Sequence, residues 1–260
     1  MNPQTSTRQR PCAAVILAAG KGTRMQSDLP KVLHEVQGQP MVHWVVKACR
    51  EAGATPILLV IGHGGELLRD AFQGDDDIRF VEQPEQLGTG HAVEVCREEL
   101  AQLSGDTFVL AGDGPLIRAA TLKSLRAAHQ RHHAAATLAT AVLENPTGYG
   151  RIVRGDDNRF QAIVEQKNAS EAELAIGEVY PSYACFDIDR LLETLVDLPR
   201  DPIGGEYYIT EVPAMMSGRG WTVELLPEVP SEDVLSINTP EQLAQVDSLL
   251  LQRMQTEAAT

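Results

Sequence analysis

The chain has 260 residues, 43% apolar and 22% charged, ordinary values for a globular chain able to bury a sizeable core. Its formal net charge of −14 argues against nucleic acid or an anionic membrane as the main partner. No apolar run reaches the roughly 18 residues of a membrane span, and residues 1–12 lack a secretory signal, so they read as a disordered lead on a cytoplasmic protein.

Residues 13–18 are an apolar run that predicts a first strand, broken by Gly20-Lys21-Gly22-Thr23-Arg24. Residues 41–52 predict a helix, with Val42, Val45, Val46 and Cys49 on one face. A second strand is expected over 56–62, a helix over 65–72, a third strand over 78–83 and a helix over 88–103. Residues 107–112 form a fourth apolar strand that ends at Asp113, and 119–133 a further helix. This alternation of nearly continuous apolar strands with helices predicts a doubly wound, mostly parallel Rossmann-like α/β sheet.

The pattern then changes. Strands are expected over 134–143, 151–154, 161–167 and 179–186, with little helix between them. Helices return over 187–196 and over 207–216, the latter with Pro213 as a kink. Strands follow over 221–226 and 234–237. Thr239 reads as the N-cap and Pro240 as the first residue of a final helix over 240–253, followed by a tail over 254–260. Residues 13–250 are therefore expected to be one domain, with a smaller β-rich elaboration over 134–238 beside a first half over 13–133.

Cys12, Cys49, Cys96 and Cys185 show no CxxC spacing and read as reduced, buried thiols. His132 and His133 read as a helix C-terminus rather than a metal site.

Lys21, Arg24 and Lys31 cluster within eleven positions of an acidic protein, just after a strand. A glycine-rich basic loop there suits phosphate, because glycine lets backbone N–H groups approach closely and arginine forks onto phosphate oxygens. Two familiar phosphate patterns fail. No GK[ST] follows Gly20, and the third glycine of GxGxxG is replaced by Met25.

The stretch LAAGKGTRMQSDLPKVL resembles the signature of sugar-1-phosphate nucleotidyltransferases. With EQLGTGHA, PTGYGRI, IVEQK and GEYYIT in the same order, residues 13–250 are similar to the uridyltransferase domain of bacterial N-acetylglucosamine-1-phosphate uridyltransferases. The resemblance implies that UTP and a sugar 1-phosphate give a UDP-sugar and pyrophosphate, with Mg2+ as cofactor, supplying wall or surface-glycan precursors. It places Leu17, Ala18, Ala19 and Gly20 in the nucleotide-binding turn, and Gln83, Gly88 and Thr89 at uracil and ribose. Arg24, Lys31 and Asp113 become the catalytic groups, Asp113 and Asn238 the metal ligands, and Gly150, Glu165 and Tyr180 the sugar contacts.

The match departs from the family form E-[IV]-N-[ST]-G, which here reads Glu178-Val179-Tyr180-Pro181-Ser182. Tyr180 stands at the family's asparagine, and Ala111 stands where an aromatic is common beside the aspartate. Both changes fall on the sugar side. Another sugar 1-phosphate, another NTP such as dTTP or CTP, or a non-catalytic sugar-nucleotide-binding protein are the alternative readings. The bifunctional relatives' acetyl-transferring β-helix has no counterpart in this sequence, so acetyl transfer is not expected and the oligomeric state stays open.

Overall fold

The computed structural model describes residues 10–227 and 229–259. The expected lead over 1–12 lies mostly outside them, and its described end is ordered. Arg10 donates to Asp187 Oδ2 at 2.9 Å, and β1 (Cys12–Leu17) already begins at Cys12.

A hairpin of β2 (Glu35–Val36) and β3 (Gln39–Pro40) leads into α1 (Met41–Glu51). The chain continues through β4 (Ile57–Ile61), α2 (Gly65–Ala71), β5 (Ile78–Glu82), α3 (Thr89–Glu94), α4 (Arg97–Leu100), β6 (Asp106–Ala111) and α5 (Ala119–Arg131). Then come β7 (Ala136–Ala139), β8 (Ala141–Val142), β9 (Gly150–Arg154), β10 (Phe160–Val164), α6 (Glu171–Leu174), β11 (Glu178–Tyr180) and β12 (Tyr183–Asp187). The last elements are α7 (Ile188–Leu195), α8 (Val212–Gly218), β13 (Val223–Leu226) and α9 (Pro240–Ala258).

Seven strands form the main sheet in the order β13-β7-β12-β6-β1-β4-β5. β1 runs parallel to β4 and β6, and β4 to β5, while β12 is antiparallel to both β6 and β7. The sheet is thus mostly parallel, as expected, with one reversed strand. Side chains alternate across it. Ala14, Ile16, Ile57, Leu59 and Ile61 pack on the α1, α5 and α9 side, and Val15, Leu58 and Val60 on the α3, α7 and α8 side. Every residue of β4 is buried, each aliphatic side chain contributing about 1.5–3 kcal/mol.

A four-stranded antiparallel sheet, β10-β9-β11-β8, is built from strands within residues 141–180. Two segments expected as single strands are divided between the sheets. Residues 134–143 split at Thr140, whose N–H donates to Leu226 O at 2.9 Å and whose hydroxyl donates to Glu178 Oε1 at 2.7 Å. Residues 179–186 split at Pro181-Ser182. Proline has no ladder donor, and Ser182 takes the left-handed conformation (φ 66°) that favours glycine. The Ser182 carbonyl then accepts from Ala111 N at 3.2 Å, so the crossing lands at the end of β6.

Other expectations are corrected. The helix over 88–103 divides into α3 and α4, where Cys96 N bonds back three residues to Val93 O at 3.0 Å. The strand over 161–167 ends at Val164, and residues 166–168 form a short 3₁₀ turn. Pro213 lies in the first turn of α8 rather than at a kink, where its missing N–H leaves no bond unmade. Residues 234–237 form no strand. Val234 closes a 3₁₀ turn, and Ile237 N donates to Asp113 O at 3.0 Å. Burial of Val234 and Ile237 imitates a strand's apolarity without a neighbouring ladder. Thr239 caps α9 by accepting from Gln242 N at 3.3 Å, and the helix runs to Ala258, through part of the expected tail. His132 does end α5. All four cysteines are buried and free.

A polar cluster lies at the N-terminal end of β6, the end opposite Ala111. Asp106 is fully buried beside Arg126 and His129. Burial pushes the His129 imidazole down to about 4, against the pull of the Asp106 carboxylate. An unfolded histidine titrates near about 6.5. As pH falls from that value to about 4, the unfolded chain takes up the proton that the native chain refuses, so native stability falls with pH. Thermal unfolding from pH 7 to 4 should show this loss, and His129→Gln should flatten it. An unchanged slope in the variant would remove His129 as the cause.

Candidate active site

The C-terminal ends of β1, β5 and β6 open on one side of the sheet, where parallel α/β sheets bind ligands. The loop after β1 turns back on itself at Gly22 (φ 63°). A Cβ there would overlap the Lys31 side chain, so glycine allows Lys31 to fold in over the loop. Gly88 (φ 107°) has a parallel role. A Cβ at Gly88 would strike the Tyr207 carbonyl, which accepts from Gly90 N at 2.7 Å, while Tyr207 N donates to Leu87 O at 2.8 Å. Backbone bonds thereby clamp the EQLGTG and GEYYIT segments together across the site.

Between them lies a cavity of about 380 Å³. Leu17, Ala18, Ala19, Gly20, Lys31, Gln83, Gly88, Thr89, Asp113, Glu165 and Tyr180 all line it. Eleven of the fourteen residues singled out from the sequence are therefore brought to one space. Gln83 is 3% exposed. Its Nε2 donates to Gly88 O at 3.0 Å, which leaves its amide oxygen as the acceptor to present. Thr89 opens a helix of only six residues, and its hydroxyl oxygen accepts from Ile209 N at 3.1 Å. Glu165 Oε1 accepts from the Thr210 hydroxyl at 3.0 Å. Burial pushes the Tyr180 hydroxyl well above its ordinary value, and the Glu165 carboxylate adds to the shift.

Arg24 and Asn238 do not line the cavity but join it through Lys31. The Lys31 ammonium bonds Asp113 Oδ2 and also donates to Asn238 Oδ1 at 3.1 Å. Arg24 Nη2 donates to the same Asn238 oxygen at 2.9 Å. The Lys31 and Asp113 side chains are each 16% exposed, so the pair is largely desolvated. Gly150 stands apart. It pairs with Tyr180 in the ladder between β9 and β11, and a Cβ on it would come within 2.8 Å of Ile163 Cγ2. It lies beside Tyr180 in that ladder and is not among the residues that line the cavity.

Asn238 is held from below by a strap over 233–238. Asp233, fully buried, accepts from Arg253 Nη2 at 2.7 Å and Arg118 Nε at 3.1 Å. The Tyr149 hydroxyl donates to Val234 O at 3.0 Å, and Ile237 N ties the strap to Asp113. None of this was legible from motif spacing. Gln86, Ser182, Glu206, Tyr208 and Thr210 also line the cavity. The sequence points to the motifs that contain four of them, but to no individual role.

A wider cleft of about 700 Å³ lies at the far sheet edge beside Arg154, Trp221 and Glu224. None of the sequence-predicted site residues lines it, and Arg154 is already paired with Glu178 at 2.7 Å. No helix among the described residues is long and apolar enough to cross a membrane.

Comparison with known proteins agrees with this architecture. A UDP-glucose pyrophosphorylase solved with UDP-glucose superimposes with a TM-score of 0.76 over 94% of this chain and 99% of its own, at 17% identity. The bifunctional protein GlmU of Pelobacter propionicus is 44% identical over 242 residues, and that of Shouchella clausii 42% identical over 244. These alignments cover 93% and 94% of this chain but 53% of each relative, so the chain spans about half the length of the GlmU proteins it matches. The MobA-like NTP transferase domain matches residues 14–171, more than half of the chain. The chain belongs to that family and carries a nucleotidyltransferase domain of the kind found in GlmU.

Proposed function

We propose that the chain is a uridylyltransferase that makes UDP-N-acetylglucosamine and pyrophosphate from UTP and N-acetylglucosamine 1-phosphate. The observation that carries this reading is the single cavity lined by the Leu17–Gly20 turn and Gln83 on one side and by Glu165 and Tyr180 on the other, with Lys31 and Asp113 between. A two-substrate transfer needs such an arrangement.

The amide oxygen of Gln83 and the backbone around Gly88 suit the mixed donor and acceptor edge of uracil. Glu165 suits the paired hydroxyls of a pyranose. Ala92, Val109, Ala111 and Ile209 add apolar wall that suits an acetamido methyl. The sugar phosphate oxygen attacks the α-phosphorus in line; that O–P bond forms as the bond to pyrophosphate breaks. No protein nucleophile is required, so the work is positioning and charge neutralisation. Lys31 and Arg24 would hold the phosphates of two anionic substrates together within an acidic protein.

Mg2+ fits the same residues. A carboxylate oxygen of Asp113 and the amide oxygen of Asn238 already converge on one cationic centre, the Lys31 ammonium. Magnesium takes oxygen donors, few of them from protein and the rest from phosphate and water. Among the described residues no group of three or more His, Cys, Asp or Glu forms a fuller metal cage. When bound, the ion would neutralise charge on the phosphates undergoing transfer.

A second reading keeps the chemistry and changes the sugar, because Tyr180, Ser182 and Ala111 lie together in the cavity wall. A pyrophosphate-release assay separates the cases, using a panel of sugar 1-phosphates with UTP, dTTP, CTP and ATP, with and without Mg2+. Release should be fastest with UTP and N-acetylglucosamine 1-phosphate, and should require Mg2+. Release with glucose 1-phosphate alone would overturn the sugar. No release with any pair would favour a sugar-nucleotide-binding protein.

A further inference from the structure

We propose that Gln86 is a removable wall that confines the nucleobase end of the cavity to pyrimidine size. This inference rests on the nucleotidyltransferase reading above. A second cavity of about 530 Å³ adjoins the first and is lined by Lys21, Gly62, His63, Gly64 and Glu66. Among the described residues only Gln83 and Gln86 border both cavities.

The two shared residues are held very differently. Gln83 is buried. Its backbone N–H donates to Ile61 O at 2.8 Å, and its side chain is bound to Gly88 O. It cannot leave without breaking the edge that would read the base. Gln86 lies on the following loop, and its carboxamide is anchored by one bond, Nε2 to Gln83 O at 3.1 Å. That carboxamide packs over Gly62. A Cβ added to Gly62 would sit 2.9 Å from Gln86 Nε2 and 2.9 Å from Ala19 O. The Gln86 amide therefore fills the passage between the β1 turn, the end of β4 and the end of β5.

A pyrimidine held by Gln83 and Gly88 needs no room beyond this wall. A purine carries a second fused ring. Past Gln86 is the space that would take it, since Gln83, which borders both cavities as well, is buried and fixed, and Gly88 is pressed on Tyr207. Discrimination by shape in such a pocket is commonly about 10–200-fold.

Gln86→Ala opens the passage, whereas Gln86→Met keeps the volume and removes only the hydrogen bond. Pyrophosphate release is measured with N-acetylglucosamine 1-phosphate and UTP, ATP or GTP, alongside calorimetric binding of each nucleotide. In Gln86→Ala, kcat/KM for ATP or GTP should rise about tenfold or more, with a matching gain in binding, while Gln86→Met should show no such purine gain. Loss of structure cannot produce that gain. No purine gain in Gln86→Ala, or an equal gain in Gln86→Met, overturns the proposal. If the wild type turns over no nucleotide but Gln86→Ala gains ATP binding, the wall stands and the catalytic reading fails. If neither protein binds any nucleotide, both fail.

Discussion

Asp113→Ala is expected to lower kcat about 10²–10³-fold or more, the usual result of removing one preorganised charge-stabilising group. Asp113 lies two residues past the end of β6 and is the only carboxylate bonded to Lys31 among the described residues. Without it the Lys31 ammonium retains Asn238 Oδ1, at 3.1 Å, and the proposed Mg2+ position loses its carboxylate donor. The fold should survive, because the strap bond from Ile237 N is to the Asp113 backbone carbonyl, which alanine keeps. Pyrophosphate release at saturating substrate, a Mg2+ titration and a melting curve form the test. Retained turnover with normal melting would remove Asp113 from the chemistry.

Arg253→Met should have the largest effect on stability. It strips one of two arginines from Asp233, a carboxylate with no exposed surface. Burial already pushes this carboxyl upward, opposed by Arg253 and Arg118. Arg118 is 42% exposed and screened, so it cannot replace the lost partner, which is 15% exposed. Breaking a buried pair from one side costs about 3–5 kcal/mol, or about 10 °C of melting temperature at about 3 kcal/mol for a chain of this size. Adding Asp233→Asn to Arg253→Met should recover part of the loss, because the buried charge disappears with its partner. kcat should fall as well, since the strap carries Asn238. A melting point within 2 °C of wild type, by chemical or thermal unfolding, would show that the triad does not hold the strap.

Both experiments mark where sequence reasoning reached and where it stopped. Local regularities carried the main sheet. Apolar runs such as Ile57–Ile61 are long enough, and glycine and proline placed well enough, to reveal β1, β4, β5 and β6. The strand ends follow from the strands, which is why Gly20, Gln83 and Asp113 emerge on one side. Sheet membership is a different matter. Residues 134–143 and 179–186 each read as one strand, because β propensity records a half-buried pleated surface and does not record which sheet supplies it. Only packing sends Thr140 and Ser182 across.

The amino-acid sequence by itself determined the strand and helix periods, the phosphate-type loop and the chemical types of the site residues, because these depend on neighbours a few positions apart. The tertiary structure alone decided that Lys31 bridges Asp113 and Asn238, 82 and 207 positions away. It also decided that Gly150 pairs beside Tyr180, and that Asp233 with Arg118 and Arg253 holds the strap. Such contacts depend on how the two sheets and α9 close on one another. Desolvation makes them strong, and no spacing along the chain encodes it.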